Sequence, residues 1–259
     1  PNPDIWCNTR IKFGMFADLI KDRDFDKIAS GHYARVAAVN TDKGKRLCLS
    51  RAPDPIKDQT YFLSHLPKDK LGKLMFPIGK YTKAEVRKIA EDMALPNAKR
   101  KDSQGICFLG KFKYRDFLKL HLGIKTGDFV EHETGKKVGT HEGFWFYTIG
   151  QRKGLRIGGP GGAWYVVGKE VEDNVVFVSQ HYHEKHHRRN AFIISSCNWF
   201  LEESARNMMV QSMAGKILVK LRHGPEMQKC IMYPKEDGFE VILNSNDQGI
   251  APGQYAAFY

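Results

Sequence analysis

No apolar run in the sequence approaches the ~18 residues that a membrane-spanning helix requires, which excludes a helical membrane protein. Cysteine is scarce: Cys7, Cys48, Cys107, Cys197 and Cys230 make five in 259 residues. Their odd number and wide spacing exclude the disulfide framework of a small secreted domain and a CxxC zinc pattern. A reducing compartment is the simpler expectation. Internal repeats are missing, which excludes a fibrous or solenoid design. No initiator Met precedes Pro1-Asn2-Pro3-Asp4, and this abrupt opening predicts a start that is missing or removed, together with any targeting segment. Acidic charge is in deficit, with 29 Asp and Glu against 41 Lys and Arg, a net of +12. Such a balance fits an anionic partner, and nucleic acid first of all; a merely soluble basic protein is the alternative.

The positive charge sits mainly at the front. Residues 1–117 carry 24 basic and 14 acidic side chains, residues 118–190 carry 11 and 8, and residues 191–259 carry 6 and 7. Hydrophobic residues are 42% of the chain, enough to exclude disorder throughout and to build sizeable cores.

Ile11, Met15, Phe16, Leu19 and Ile20 recur at helical spacing and predict one apolar face over residues 9–21. Asp26–Ala29 reads as a short buried strand. Ser30-Gly31-His32-Tyr33 follows it, the strand-then-glycine form of a ligand-binding edge in α/β sheets. Residues 40–46 read as a polar hairpin loop. Thr82 with Glu85 is a capping box, with Val86, Ile89, Ala90 and Met93 as the apolar stripe behind it, and Pro96 ends that helix. A second helix over residues 113–122 carries Phe117, Leu118, Leu120 and Leu122 and closes at Gly123. Beyond it, hairpins are predicted around Glu133-Thr134-Gly135 and around Glu172-Asp173-Asn174. Residues 150–162 form a Gly-rich loop, and His181 to Arg189 a basic connector. Ile217–Leu221, Cys230–Tyr233, Phe239–Leu243 and Tyr255–Phe258 read as strands. The pattern predicts an α/β portion over residues 1–117, a small β-rich middle domain over 118–189 and a C-terminal barrel over 190–259.

Pro3 restrains Asn2 to an extended conformation, so Asn2-Pro3-Asp4-Ile5-Trp6-Cys7-Asn8 sets the Asp4 carboxylate and the Cys7 thiol ahead of a helix starting near Thr9. A helix N-terminus favours thiolate, and Asp4 can accept or relay a proton. A loop with one buried cysteine fits the same residues. Cys107 lies in Lys101-Asp102-Ser103-Gln104-Gly105-Ile106-Cys107-Phe108, flanked by Lys99, Arg100, Lys111 and Lys113, cations that lower a thiol's pKa. Facing one another across a cleft, the two thiols would suit thiol–disulfide or persulfide chemistry; two unrelated structural cysteines are the other reading. Cys48, Cys197 and Cys230 have apolar neighbours and read as core.

Lys57-Asp58-Gln59-Thr60-Tyr61-Phe62 can position a phosphate and stack a base, or start a helix capped by Asp58 with Tyr61 and Phe62 in the core. Phe144 to Leu155 sets aromatics beside a basic, Gly-rich loop as RNA-binding surfaces do, or alternates into a β core. Arg222-His223-Gly224 can reach a phosphate or form a solvated turn. His181, His183, His186 and His187 lack carboxylate or Cys partners at ligand spacing, so no metal site is expected.

The ordered set Asn2-Pro3-Asp4-x-x-Cys7-Asn8-x-x-Ile11-Lys12-Phe13, Gly31-His32-Tyr33-Ala34-Arg35, Lys57-Asp58-Gln59-x-Tyr61-Phe62-Leu63, Asp102 to Phe108, Tyr147 to Arg152, Trp164-Tyr165-Val166-Val167 and Ala251-Pro252-Gly253-Gln254 closely resembles the tRNA-specific 2-thiouridylase family (MnmA in bacteria, TrmU in organelles) from residue 1 to 259. The resemblance implies an α/β remnant of a PP-loop (adenine nucleotide α-hydrolase-like) domain, a small β-rich middle domain and a C-terminal β-barrel. It implies 2-thiolation of the tRNA wobble uridine. ATP, Mg-bound, adenylates the uracil O2, and persulfide sulfur from a donor protein replaces that oxygen on a base taken out of the stack. Cys107 would carry the persulfide, and Cys7 would be the partner nucleophile able to pair with it as a disulfide. Asp4 would be the acid/base group. Asn2, Pro3 and Asp4 would contact the base and Gly31 would lie by the nucleotide. Lys57, Asp58, Gln59, Arg222 and His223 would touch tRNA. A monomer without membrane attachment is implied, in a mitochondrion or plastid, or in the cytoplasm if the source is bacterial. The family's SGG-x-D-S ATP loop, which precedes the Asn-Pro-Asp motif, has no counterpart here. The chain is therefore expected to match the C-terminal two-thirds or more of a family member and not to adenylate alone. The rival expectation is a non-catalytic basic RNA-binding module derived from the family, for instance in an organellar ribonucleoprotein. A thiol oxidoreductase lacks its CxxC.

Overall fold

The Asn-Pro-Asp segment is itself a helix start. Asn2 Oδ1 accepts from the backbone N–H of Asp4 (3.0 Å) and Ile5 (3.3 Å), and Pro3 takes the first helical position, where its missing N–H costs nothing. The computed structural model describes residues 2–41, 44–101, 113–182, 189–200, 210, 215–247 and 249–259. Helix α1 (Pro3–Trp6) passes into wider, i→i+5 winding over Cys7–Met15 and returns to α-helix in α2 (Phe16–Leu19). Gly14 permits the wide turn, because a Cβ there would stand 2.6 Å from the Thr9 carbonyl oxygen.

That winding changes which side chains face inward. Phe13 is buried, while Ile11, Met15, Phe16 and Leu19 stay exposed. The single apolar face predicted at ordinary helical spacing does not form. The helix also begins at Pro3 rather than near Thr9. Cys7 therefore lies past the first turn, where the helix dipole has fallen off.

Strand β1 (Ile28–Ala29) precedes a hairpin of β2 (Ala34–Thr41) and β3 (Gly44–Arg51), and β4 (Leu74–Met75) pairs with β1 in parallel. Within this two-stranded sheet Ile28 is only half-buried and Ala29 is exposed, so the buried strand expected there is not found. Helix α3 (Lys83–Asp92) starts at the predicted capping box: Glu85 N–H donates to Thr82 Oγ1 (3.3 Å) and Thr82 N–H to Glu85 Oε2 (2.7 Å). Helix α4 (Tyr114–Leu122) ends at Gly123, whose φ of +69° suits glycine. Both helices form where periodicity placed them, yet neither buries a residue, and Ile89, Met93, Phe117, Leu120 and Leu122 are exposed.

Strands β5 (Gly127–Glu131), β6 (Lys137–His141), β7 (Tyr165–Glu170) and β8 (Val175–Ser179) form a sheet in the order β6-β5-β8-β7, parallel only between β5 and β8. The two predicted hairpins are its two antiparallel pairs, turning through Gly135 and Asn174 at positive φ. Phe129, Val166, Val176 and Val178 make its core with Tyr147 and Leu155. Strands β9 (Arg189–Ile194), β10 (Ile217–Lys220), β11 (Gln228–Lys235), β12 (Gly238–Asp247) and β13 (Ala257–Phe258) form a sheet in the order β13-β10-β11-β12-β9. Its end strands do not pair, so among the described residues this sheet is open. Cys230 is buried in it, which pushes its thiol up to about 11. Cys48 and Cys197 are only half-buried, so of the three expected core cysteines Cys230 alone is one. The chain divides into two compact units, Pro1–Cys107 with Ala191–Ser245 and Gly253–Tyr259, and Phe108–Asn190 with Asn246–Pro252.

Inside the first unit, Asp58 is almost fully buried. Its Oδ1 accepts from the Thr60 N–H (3.2 Å) and hydroxyl (2.7 Å), and its Oδ2 from Arg51 Nε (3.0 Å) and Lys220 Nζ (3.1 Å). The Lys220 side chain is fully buried too. Burial alone would raise the Asp58 carboxyl, but the bonds from Thr60, Arg51 and Lys220 outweigh it and hold it below the ordinary carboxylate value. A lowered folded pKa gives stability that is complete above the unfolded value of about 3.9 and is lost as pH falls through the lower folded one. Asp58→Asn should cost about 3–5 kcal/mol at neutral pH, because it leaves Lys220 buried and unpaired. Lys220→Met should cost less, since Asp58 keeps Arg51 and Thr60. Urea unfolding across a pH series checks both: the gap between wild type and Asp58→Asn should narrow in acid, and a pH-independent gap would contradict the assignment.

Candidate active site

Asp4 and Cys7 stand one helical turn apart, on neighbouring positions of the same surface. The Cys7 N–H donates back to the carbonyls of Asp4 and Pro3, and its side chain is buried. Asp4 is half-buried. Burial raises its carboxyl above the ordinary value, against the lowering charges of Lys12 and His223. Asn8 is buried with Nδ2 donating to the Phe62 carbonyl (3.2 Å), while its Oδ1 has no partner among the described residues.

Behind the helix, His32 is buried between Phe13 and Phe76, with ring centroids 5.9 and 6.0 Å away. Its Nδ1 lies 2.8 Å from Ser30 Oγ. Burial first, then the Lys12 charge, pulls the imidazole down to about 4, so it is neutral at physiological pH. Gly31 beside it is exposed, and a Cβ there would meet nothing within 4 Å, so the space before this backbone is open. Gln59 clasps the same loop: its N–H donates to the Tyr33 carbonyl (2.9 Å) and its Oε1 accepts from the Tyr33 N–H (3.0 Å). Lys57 is half-buried, its N–H held by Asp54 Oδ1 (2.9 Å). Asp58, next in the chain, points inward to Lys220 and Arg51.

The turn after β10 brings Arg222 and His223. The His223 ring lies on Phe62, centroids 4.6 Å apart. Partial burial and then the charges of Lys220 and Lys57 lower this imidazole, opposed by Asp58 and Asp4. Tyr61, buried beside it, donates to the carbonyls of Tyr255 (3.2 Å) and Leu221 (3.4 Å). The first unit thus gathers Asn2, Pro3, Asp4, Cys7, Lys57, Gln59 and His223, with Gly31 reached through His32 and Lys12. Burial thus raises the Asp4 carboxyl and lowers the His32 and His223 imidazoles, and Asp4 is the group able to accept or release a proton there. Cys107 and all of Asp102–Phe112 lie outside the described residues, as do His183, His186 and His187. Among the described residues no group of three or more His, Cys, Asp or Glu is placed to hold a metal ion, and no helix is long and apolar enough to cross a membrane.

Lys12, His32, Lys220 and Tyr255 received no role from the sequence. Lys220 carried a signal: it ends the apolar strand Ile217-Leu218-Val219, where a lysine needs a buried partner. Lys12 and His32 sat inside quoted motifs with nothing to mark their shared neighbourhood.

Three family models match in succession, described as a tRNA methyl transferase HUP domain (residues 1–111), a tRNA methyl transferase PRC-barrel domain (115–180) and an aminomethyltransferase beta-barrel domain (189–259). The tRNA-specific 2-thiouridylase MnmA 2 of Bacteroides fragilis is 45% identical over 259 residues, all of this chain and 70% of the relative. MnmA of Porphyromonas gingivalis is 45% identical over 260 residues and MnmA 1 of Bacteroides thetaiotaomicron 46% over 263, each again covering all of this chain and 70% of the relative. Identity at that level over the whole chain, with the family models in succession along it, shows that the chain belongs to the tRNA-specific 2-thiouridylase family.

Proposed function

We propose that this protein carries out 2-thiolation of the wobble uridine in tRNA, by ATP-dependent adenylation and transfer of a persulfide sulfur. The observation that carries this reading is the 45% identity to named thiouridylases over the whole chain. The alternative, a non-catalytic RNA-binding module, gains nothing from relatives that are each called a thiouridylase. Mg-bound ATP enters as co-substrate and turns the uracil O2 into a leaving group. A donor protein supplies the sulfur to Cys107 as a persulfide, whose outer sulfur displaces the adenylate at C2. Cys7 is the second nucleophile, and its thiolate attacks Cys107 Sγ, so that the S–S bond to the new thiouridine breaks with its electron pair going to the thiouridine sulfur as the Cys7–Cys107 disulfide forms. Asp4 moves the proton, and its raised pKa suits that work better than an exposed carboxylate would.

Asn2 engages Oδ1 in capping its own helix, which leaves Nδ2 to face the base beside Pro3 and Asp4. The open space before Gly31 fits a nucleotide lying against that backbone. Lys57, Gln59, Arg222 and His223 contact tRNA, and Asp58 serves that contact through the neighbours it orients. The division at residues 117 and 189, a PP-loop origin for the first part, and a monomeric state belong to the same proposal. The bacterial relatives are compatible with cytoplasmic action and give the organellar placement no support.

Thiolation is read from the nucleosides of tRNA incubated with the protein, ATP and a sulfur source. In the protein with the family's ATP loop in place, Cys107→Ser should abolish 2-thiouridine while tRNA binding stays within a few-fold; residual thiolation would remove the persulfide role, and a wild type that carries that loop and gives no thiolation would remove the reading. Asp4→Asn should slow the reaction about 10²–10⁴-fold. Asp4 acts as a base only when ionised, so in wild type the acid limb of the rate should lie above the ordinary carboxylate range. That limb should vanish in Asp4→Asn, and its persistence would assign the proton to another group.

A further inference from the structure

Trp6 sits in sequence between the two residues of the proposed chemistry, Asp4 and Cys7, and the residue remains 38% exposed. Its Nε1–H donates to the Tyr255 hydroxyl, a residue 249 positions away. Tyr255 is in turn fixed by the bond from the Tyr61 hydroxyl to its carbonyl and by the His65 ring 5.2 Å away. The indole is therefore tied at its edge to the half-buried Tyr255, which is itself bonded to the buried Tyr61. Over its face lies the Arg10 guanidinium, its central carbon 3.7 Å from the ring centroid.

Arg10 has no ion pair or hydrogen bond to another described residue. Its neighbours in the unit differ: Arg51 and Lys220 are held by Asp58, Lys70 by Asp18, and Arg35 by the Arg51 carbonyl and Ser50. With its central carbon 3.7 Å over the indole, the guanidinium is held against the ring and its N–H donors have no hydrogen-bond partner among the described residues. A guanidinium fork matches two oxygens of a phosphate, and an arginine already held in place loses less freedom on binding one.

We propose that the Trp6–Arg10 pair is a phosphate clamp, in which Arg10 grips the backbone of the tRNA strand beside the base presented to Asp4 and Cys7, and Trp6 holds the guanidinium in the gripping plane. The proposal rests on the reading that tRNA is the substrate. The alternative is an ordinary helix-surface pair at i, i+4 spacing, which stabilises the helix slightly and touches no ligand.

The test is binding of an unmodified tRNA transcript, without ATP, across a salt series. Arg10→Gln should weaken binding about five- to thirty-fold and lower the slope of log affinity against log salt by roughly one. Arg10→Lys should keep most of the slope and recover only part of the affinity, since an ammonium supplies the charge without the fork. Trp6→Leu should weaken binding as well, and in that background Arg10→Gln should cost distinctly less, the coupling expected of two parts of one device. Wild type that binds tRNA alongside an Arg10→Gln variant within two-fold of it, with an unchanged slope, would overturn the clamp alone. A wild type that binds no tRNA would overturn the clamp together with the reading beneath it. A loss confined to ATP affinity would place the gripped phosphate on the nucleotide and overturn the assignment to tRNA.

Discussion

Asp58 holds the site-bearing unit together, and it does so from a position where a charge is expensive. Bringing a carboxylate and an ammonium out of water costs several kcal/mol for each ion, so a buried pair is a poor source of net stability. What it supplies is register. Lys220 ends β10, and its Nζ reaches Asp58 only if that strand lies at one place against the segment from Lys57 to Leu63. The rest follows from the same placement. Tyr61 meets the Leu221 and Tyr255 carbonyls, the Thr60 hydroxyl meets that of Tyr259 at 2.9 Å, and His223 arrives on Phe62. A strand more than 150 residues downstream thereby delivers a histidine to the neighbourhood of Asp4.

The titrating groups around Asp4 share one bias. Its carboxyl is raised, and His32 and His223 are lowered, all three first by burial. Burial disfavours whichever form is charged, so it moves acids up and bases down toward one another. The lysine charges act in one direction only. Lys12 works against burial on Asp4 and with it on His32. A docked polyanion adds negative potential, which favours the protonated form of every one of these groups. The unbound site thus holds neutral imidazoles in a basic surround, and RNA is the kind of ligand that moves them toward protonation as it arrives.

Local chemistry was legible in the sequence and distant partnership was not. The Thr82–Glu85 capping box and the two hairpins at Gly135 and Asn174 depend on residues a few positions apart, and each formed where it was read. The apolar face over residues 9–21 failed because it assumed 3.6 residues per turn. Gly14 allows a wider turn, and that brings Phe13 inward instead of Ile11 and Met15. Asp58 was weighed as a helix cap, but Gln59 stands at the start of the turn Thr60–Leu63 and no side chain caps it; Asp58 instead accepts from the Thr60 N–H and hydroxyl from one position further back. Its pairing with Lys220 spans 162 positions and leaves no periodic trace. The candidate site divides the same way. Asn2, Pro3, Asp4 and Cys7 form one short motif, whereas Lys12 and His32 become neighbours only after the helix and the strand exit have packed.

Charge counting also needs the fold. Residues 1–117 carry ten more basic than acidic side chains, but that excess is not a count of phosphate contacts. Arg51 and Lys220 are tied to Asp58, Lys70 to Asp18, Lys27 to the Gly72 carbonyl, and Arg35 to its own hairpin. A cation already paired contributes to the distant field that steers a polyanion inward, yet it has fewer N–H donors left to release counterions at the contact. Steering and grip therefore fall to different residues. The distributed excess sets how fast RNA arrives and how steeply that rate falls with salt. In the proposed clamp the grip at the base falls to Arg10, whose guanidinium carbon is already placed 3.7 Å over the Trp6 ring.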